Sequence, residues 1–310
     1  MLQLRRPPAL RPGARIGIAA PSGPFDAATF ERGVAVLRRA GFDVVLPAGF
    51  DRRAAGRLAY LAGDDDHRAA TLTALFADAD VNAIWCARGG YGAARILRRL
   101  DPHLVRANPK LLVGFSDITA IQTHLFATAG VPSIHGPNVT TLASTPDDEL
   151  AALWRLLAGN AIGRVLAPNL SAIRRGRAAG PAVGGNLSVL ASLVGTAYFP
   201  PVDGAILFLE DVSERPYRVD RMLTQLTLAN VFVRVAGVVL GEFVECIDPP
   251  EKPLTDVADV LADCLSGLSC PVVARFPFGH GGAHFPIPLG TRADIDADAL
   301  TVNFPEAVCG

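Results

Sequence analysis

Lysine is nearly missing from this chain. Lys110 and Lys252 stand alone among 29 basic residues, and every other one is arginine, a bias of composition to which no function attaches. Nor is there an excess of either charge. The 29 basic residues meet 30 acidic ones for a net charge of -1, so there is no general electrostatic reason to bind nucleic acid or an anionic membrane. The five cysteines, Cys86, Cys246, Cys264, Cys270 and Cys309, are odd in number and form no Cys-x-x-Cys pair, so neither a disulfide framework nor a cysteine zinc site is suggested. Half the residues are hydrophobic, yet no apolar run reaches membrane-spanning length, the longest candidate (231–244) being cut by Arg234 and Glu242. Near the start, Arg5 and Arg6 lead into Pro7, Pro8, Arg11 and Pro12, where a signal peptide would need an apolar segment. A soluble, cytoplasmic protein is expected, and 310 residues suggest about two domains.

What is present is an alternation of short apolar runs with helical patterns. Strands are predicted at 15–20, 43–46, 83–86, 111–113 and 132–135, and helices at 26–40, 64–76, from 93 to 100, from 118 onward, and 147–157. Such alternation argues for a mainly parallel sheet covered on both faces, with a working crevice at the C-terminal strand ends. Ser22, the loop Gly89-Gly90-Tyr91-Gly92, Ser116 and His135 all fall at such ends. Residues 159–177, rich in small and basic side chains, read as a linker between a first domain (1–158) and a second (178–310). In the second, a strand at 205–209 ends before Glu210 and Asp211, and Pro216 suits the first turn of a helix. A strand at 237–240, a helix at 256–265 and a strand at 272–275 precede Gly279-His280-Gly281-Gly282.

Leu111 to Ala120 concentrates the functional signal. An apolar strand is broken at Gly114 and a helical rhythm starts at Ile118, so Ser116 sits on a strand-to-helix turn where backbone N–H groups stabilise negative charge. Such a serine can be a nucleophile, or Ser116 and Asp117 can simply cap the helix, which is what the stretch alone favours. The glycine loop at 89–92 suits a backbone approaching a ligand or a tight turn. It is not a dinucleotide fingerprint, because Arg95 stands where the third glycine would be, and no phosphate loop of the G-x-x-x-x-G-K-S/T type occurs. His280 and His284 have the spacing of a helical zinc pair, but Gly281, Gly282 and Pro286 disfavour a helix there. Glu210, first beyond its predicted strand, is the acid best placed to orient a histidine, and the order Ser116, Glu210, His280 matches one serine, acid, histidine arrangement.

Segments spread over nearly the whole chain resemble the LD-carboxypeptidase family of serine peptidases, which includes the microcin C resistance peptidases. They are IGIAAPSGP from Ile16, ARGGYGAARIL from Ala87, LLVGFSDITA from Leu111, HGPN from His135, GPAVGGNLSVLASLVGT from Gly180, LFLEDVSERPYRVDRMLTQL from Leu207, and FGHGG from Phe278 with PLG at Pro288. The resemblance implies an α/β fold with a Rossmann-like or flavodoxin-like first sheet and a smaller C-terminal α/β domain. It further implies Ser116 as nucleophile, His280 as base, Glu210 as orienting carboxylate, and backbone N–H groups of Gly90 and Asp117 as an oxyanion hole. Arg88, Gly89 and Ser22 are candidates for holding a substrate carboxylate. No metal or organic cofactor is implied; a homodimer is. The implied substrate is a muropeptide ending in D-alanine, cleaved in cell-wall recycling. The alternatives are a peptidyl or aminoacyl nucleotide analogue, as in the microcin branch, and a non-catalytic binding protein of the same fold. His284, so near His280, and His135 are the rival bases.

Overall fold

The computed structural model describes residues 3–50, 58–165, 167–249, 251, 255–282 and 284–310. Residues 51–57 of the loop expected at 47–62, and Lys252, lie outside them. In the first half the chain forms β1 (Arg15–Ala19), α1 (Ala27–Arg39), β2 (Asp43–Val45), α2 (Asp65–Ala77), β3 (Ala83–Cys86), α3 (Ala93–Ile96), α4 (Pro102–Ala107), β4 (Leu111–Gly114), α5 (Thr119–Ala129), β5 (Ser133–His135) and α6 (Asp147–Leu157). Sequence chemistry places the ends. Asp26 and Asp64 accept the backbone N–H of Thr29 and His67 and so start α1 and α2, and Pro102 opens α4, where a missing N–H costs nothing. Gly130 ends α5 in the left-handed region.

The second half continues with β6 (Gly163–Val165), β7 (Ser171–Arg174), β8 (Arg177–Asn186), α7 (Leu187–Leu193), β9 (Ile206–Val212), α8 (Pro216–Leu228), β10 (Gly237–Val244), α9 (Val257–Leu265), β11 (Val272–Ala274), β12 (Ile287–Leu289), β13 (Arg292–Asp296) and β14 (Thr301–Phe304). Two sheets result. The first runs β12-β5-β4-β3-β1-β2, parallel except for β12, and the second runs β6-β14-β13-β8-β9-β10-β11-β7 with a parallel centre from β8 to β11.

Each central strand is buried on both faces, which is why it reads as a continuous apolar run. Trp85 of β3 packs with α1 and α6 residues such as Leu37 and Leu153, whereas Ile84 faces α2 and α5 through Leu72 and Ile121. The second sheet divides likewise, Leu207 toward the α7–α9 layer and Phe208 toward β13 and β14. The order 2-1-3-4-5 in the first sheet is the flavodoxin-like one, and its reversal beside β1 and β3 opens a crevice beyond their C-terminal ends.

Several expectations need correction. The presumed linker at 159–177 contributes β6 and β7 to the edges of the second sheet, and β12 leaves the second half of the chain to complete the first sheet. Glu210 and Asp211 do not follow a strand: they lie within β9, held by pairing of Glu210 with Asn186 and of Asp211 with Phe243. Residues 180–186, for which no strand was expected, are extended in β8. There a Cβ at Gly180 or Gly184 would stand 2.0 and 2.1 Å from carbonyl oxygens of Gly204 and Phe208, so close strand approach, not flexibility, demands glycine. The strands β13 and β14 and the helix α4 were not foreseen.

Gly33 tests the packing on the first sheet. Alanine in a helix interior ordinarily gains about 1 kcal/mol over glycine. A Cβ at Gly33, however, would lie 1.7 Å from the carbonyl oxygen of Val139, in backbone that cannot move as a side chain does. Overpacking of this kind costs about 1–3 kcal/mol. Gly33→Ala should therefore lower the urea midpoint; an unchanged or higher midpoint would refute this packing.

Candidate active site

Ser116 stands immediately after β4 and the single residue Phe115, at the start of a short 3-10 turn (Ser116–Ile118) that leads into α5. Its φ of 67° is left-handed, a conformation that costs a non-glycine residue free energy and persists only when its surroundings impose it. Gly89 is one such constraint: a Cβ there would lie 2.7 Å from the Ser116 Cβ and 3.0 Å from its Oγ. The strained turn aims the hydroxyl at a ring from the far end of the chain. His280 Nε2 lies 2.9 Å from Ser116 Oγ, and His280 Nδ1 lies 2.6 Å from Glu210 Oε2.

Glu210 is wholly buried. Its Oε1 accepts Asn186 Nδ2 at 3.3 Å, and the same amide reaches Asp211 Oδ1 at 3.0 Å. Asn186 also joins the two halves of the site, since its backbone N–H donates to Thr119 Oγ1, in the first turn of α5 after Ser116. Two glycines permit this closeness. A Cβ at Gly279 would meet Glu210 Oε2 at 2.8 Å, and one at Gly185 would meet Thr119 Oγ1 at 2.5 Å; both residues have positive φ.

Burial pulls the basicity of His280 down, but the hydrogen bond and charge of Glu210, with Asp211 adding its charge, more than offset this, and the ring titrates above its ordinary value. Burial lifts Asp211 to about 6, helped by the charge of Glu210. With Nδ1–H donating to Glu210, Nε2 is left to accept the Ser116 proton, and an imidazolium formed that way would face a carboxylate.

The rival histidines are placed elsewhere. His284 directs Nδ1 at the carbonyl oxygen of Gly279, 3.0 Å away, and its ring packs on Phe115. His135 is buried between Phe115 and Phe278, and burial lowers it to about 4. Among the described residues no cluster of three or more histidine, cysteine or acidic side chains could hold a metal ion.

Ser22 is not presented to a ligand: it is fully buried and its hydroxyl donates to Asp117 Oδ2 at 2.7 Å. That same oxygen accepts the backbone N–H of Ala93, so the Asp117 side chain caps α3 and not the helix it precedes. Burial pushes the Asp117 carboxyl up, against the two hydrogen bonds and the charge of Arg68. Arg88 is exposed and donates to the carbonyl oxygen of Pro24 at 2.6 Å. Among the described residues no protein acceptor takes the backbone N–H of Gly90 or of Asp117.

Sequence reasoning missed Arg68 and Asn186. Arg68, 2% exposed, donates to carbonyl oxygens of Pro21, Gly63 and Gly92 and pairs with Asp65, fixing the loops beside Ser116. No local signal marks it, because an arginine in a helix beginning DDHR reads as a solvated face. Asn186, following two glycines and preceding an apolar helix, carries a signal only for a helix cap, which it also supplies through the N–H of Val189.

Comparison with known proteins agrees with this architecture. Models of the LD-carboxypeptidase N-terminal domain and C-terminal domain match residues 16–136 and 179–295. The murein tetrapeptide carboxypeptidase of Pseudomonas aeruginosa is 33% identical over 300 residues, covering 92% of this chain and 94% of that one. A crystal structure of muramoyltetrapeptide carboxypeptidase from Oxalobacter formigenes superimposes with a TM-score of 0.82 at 30% identity, over 93% of this chain and 97% of that one. The Escherichia coli microcin C7 self-immunity protein MccF is 27% identical over 335 residues, 95% of this chain and 94% of the other. MccF in complex with aspartyl sulfamoyl adenosine superimposes with a TM-score of 0.87 at 26% identity, over 99% of this chain and 100% of that one. With both halves matched in order and relatives of this identity along nearly its full length, the chain belongs to the LD-carboxypeptidase family.

Proposed function

We infer that this chain is a serine carboxypeptidase that hydrolyses the amide joining the L-centre of a diamino acid to a terminal D-alanine in murein tetrapeptides, in cytoplasmic cell-wall recycling and as a homodimer. The observation that carries the reading is the run of two short contacts, 2.9 and 2.6 Å, linking Ser116 through His280 to the buried Glu210. The names of the Pseudomonas and Oxalobacter relatives support the substrate class.

In this reading His280 takes the proton of Ser116 as Oγ attacks the scissile carbonyl carbon, and Glu210 stabilises the resulting imidazolium. The backbone N–H groups of Gly90 and Asp117 receive the oxyanion, each contributing about 3 kcal/mol to its stabilisation. His280 then hands its proton to the amine of departing D-alanine, and water hydrolyses the acyl-enzyme by the same route in reverse. Arg88 at the mouth of the glycine loop is the cation for the substrate's terminal carboxylate. The likeness to MccF with a bound aminoacyl nucleotide analogue favours a second reading, cleavage of such an analogue. Against it, the segment after Gly185, as far as Phe199, has no tryptophan to stack on a base.

Incubation with a tetrapeptide ending in D-alanine should release D-alanine, measured with a D-amino-acid oxidase assay, and Ser116→Ala should lower turnover by about 10⁴ or more. Undiminished release by that variant would end the serine assignment. An aminoacyl sulfamoyl adenylate in parallel separates the two substrate classes.

The pH profile follows from the state of His280, which must be neutral to accept a proton. Since Glu210 raises its pKa, activity should fall as pH drops through a value above 6.5. In Glu210→Gln the carboxylate's hydrogen bond and charge are gone and only the charge of Asp211 still opposes burial, so by NMR the ring should titrate below its native value while turnover falls by about 10⁴. A ring whose titration does not move in that variant would contradict the coupling.

A further inference from the structure

We propose that Glu149 is a positioning residue that holds the His280 loop against Ser116 through the backbone N–H of His284. The proposal rests on the serine-peptidase reading above. Glu149 lies in the first turn of α6, on the layer that covers the first sheet, and its Oε2 accepts the His284 N–H at 2.6 Å.

On the first-sheet side the rings of His280 and His284 also pack on Phe115, next to Ser116, and the remaining contacts of the loop come from the second sheet or from the loop itself. Gly279 backs onto Glu210 of β9, and Gly281 backs onto Glu242 of β10, whose Oε2 would be 1.8 Å from a Cβ there. His284 Nδ1 closes the loop on the carbonyl oxygen of Gly279. Ser116, in contrast, is fixed to the first sheet. Glu149 therefore ties the loop to the nucleophile's side just before β12 pairs with β5 of that sheet.

A helix-dipole role does not account for this carboxylate. Asp147 and Asp148, both exposed, already supply negative charge to the same turn. A third acid there, only 7% exposed, loses hydration that the dipole alone does not return, and its location makes sense through its partner.

The surroundings make the tie sensitive to pH. Burial lifts the Glu149 carboxyl to about 7; the His284 N–H opposes the rise, and the charges of Asp148 and Glu242 add to it. Arg275 lines the same cavity of about 790 Å³ beside the loop, and His280 and His284 are the titratable groups of the loop itself. As pH rises through about 7 the carboxylate charges and becomes the stronger acceptor. The acid limb of activity then contains two ionisations, Glu149 and His280.

Steady-state kinetics on the tetrapeptide, and the rate of labelling by a fluorophosphonate, test this in the full chain. Loss of a hydrogen bond to a charged group predicts that Glu149→Ala lowers kcat and the labelling rate roughly tenfold to a hundredfold, with KM changed by less than about threefold. Glu149→Gln keeps a carbonyl oxygen to accept the same N–H but cannot ionise. As a mimic of the protonated acid it should keep more kcat than Glu149→Ala yet stay several-fold below the native plateau, and turn a two-proton acid limb into a one-proton limb. Native kcat and labelling in Glu149→Ala, or a two-proton limb surviving in Glu149→Gln, would overturn the proposal. If Glu149→Ala fails to fold by circular dichroism, the limb of Glu149→Gln decides alone. Failure of the native chain to label, or labelling of Ser116→Ala at the native rate, would instead strike the serine reading itself.

Discussion

A carboxylate with no exposed surface, Glu210, must be compensated by the groups around it, and much of the architecture at the site follows from that constraint. Removing one partner from a buried charge costs on the order of 3–5 kcal/mol, so the fold has to deliver donors to both oxygens at once. His280 supplies one and the Asn186 amide the other. The His280 loop can approach only because the backbone beside Glu210 is bare at Gly279, while Gly185 lets the strand bearing Asn186 close on Thr119. The requirement that buries Glu210 also orients the ring toward Ser116, so stability and chemistry draw on one set of contacts.

The Ser116 side of the site is organised around a second buried charge. Arg68 gathers the carbonyl oxygens of Pro21, Gly63 and Gly92, while Asp117 binds the Ser22 hydroxyl and the Ala93 N–H. Three loops from separate strand ends are thereby locked around the left-handed turn at Ser116. Strain at that residue is tolerable because the network leaves it no alternative. Rigid placement matters here, since a hydroxyl displaced by about 1 Å from its base can lose two orders of magnitude in rate.

Legibility in the sequence tracked the range of the interactions involved. The parallel strands β1 to β5 of the first sheet and helices α1, α2 and α6 were readable within a residue or two, because double-faced burial and side-chain caps are local patterns. β8 was hidden by glycines that exist for contact with Gly204 and Phe208, distant in sequence. Glu210 was placed one residue outside β9, since a charged residue ends an apolar run unless its compensating partners are known. Ser22 seemed available to a ligand, and its engagement by Asp117 depends on a loop 95 residues away.

From residues alone came the alternating α/β pattern, the strand-end position of Ser116, and the absence of membrane-length, nucleotide-loop and cysteine-metal signals. Residue order also offered Glu210 and His280 as candidates, and the motif resemblance gave them the roles of orienting carboxylate and base. Tertiary structure decided what local pattern could not: that His280 and not His284 or His135 reaches Ser116, that Asp117 caps α3, and that Arg68, Asn186 and Glu149 hold the surrounding loops. The physical reason is common to all of these. Capping and burial periodicity act over a few residues, whereas compensation of buried charge joins groups separated by tens to hundreds of residues and is set by packing.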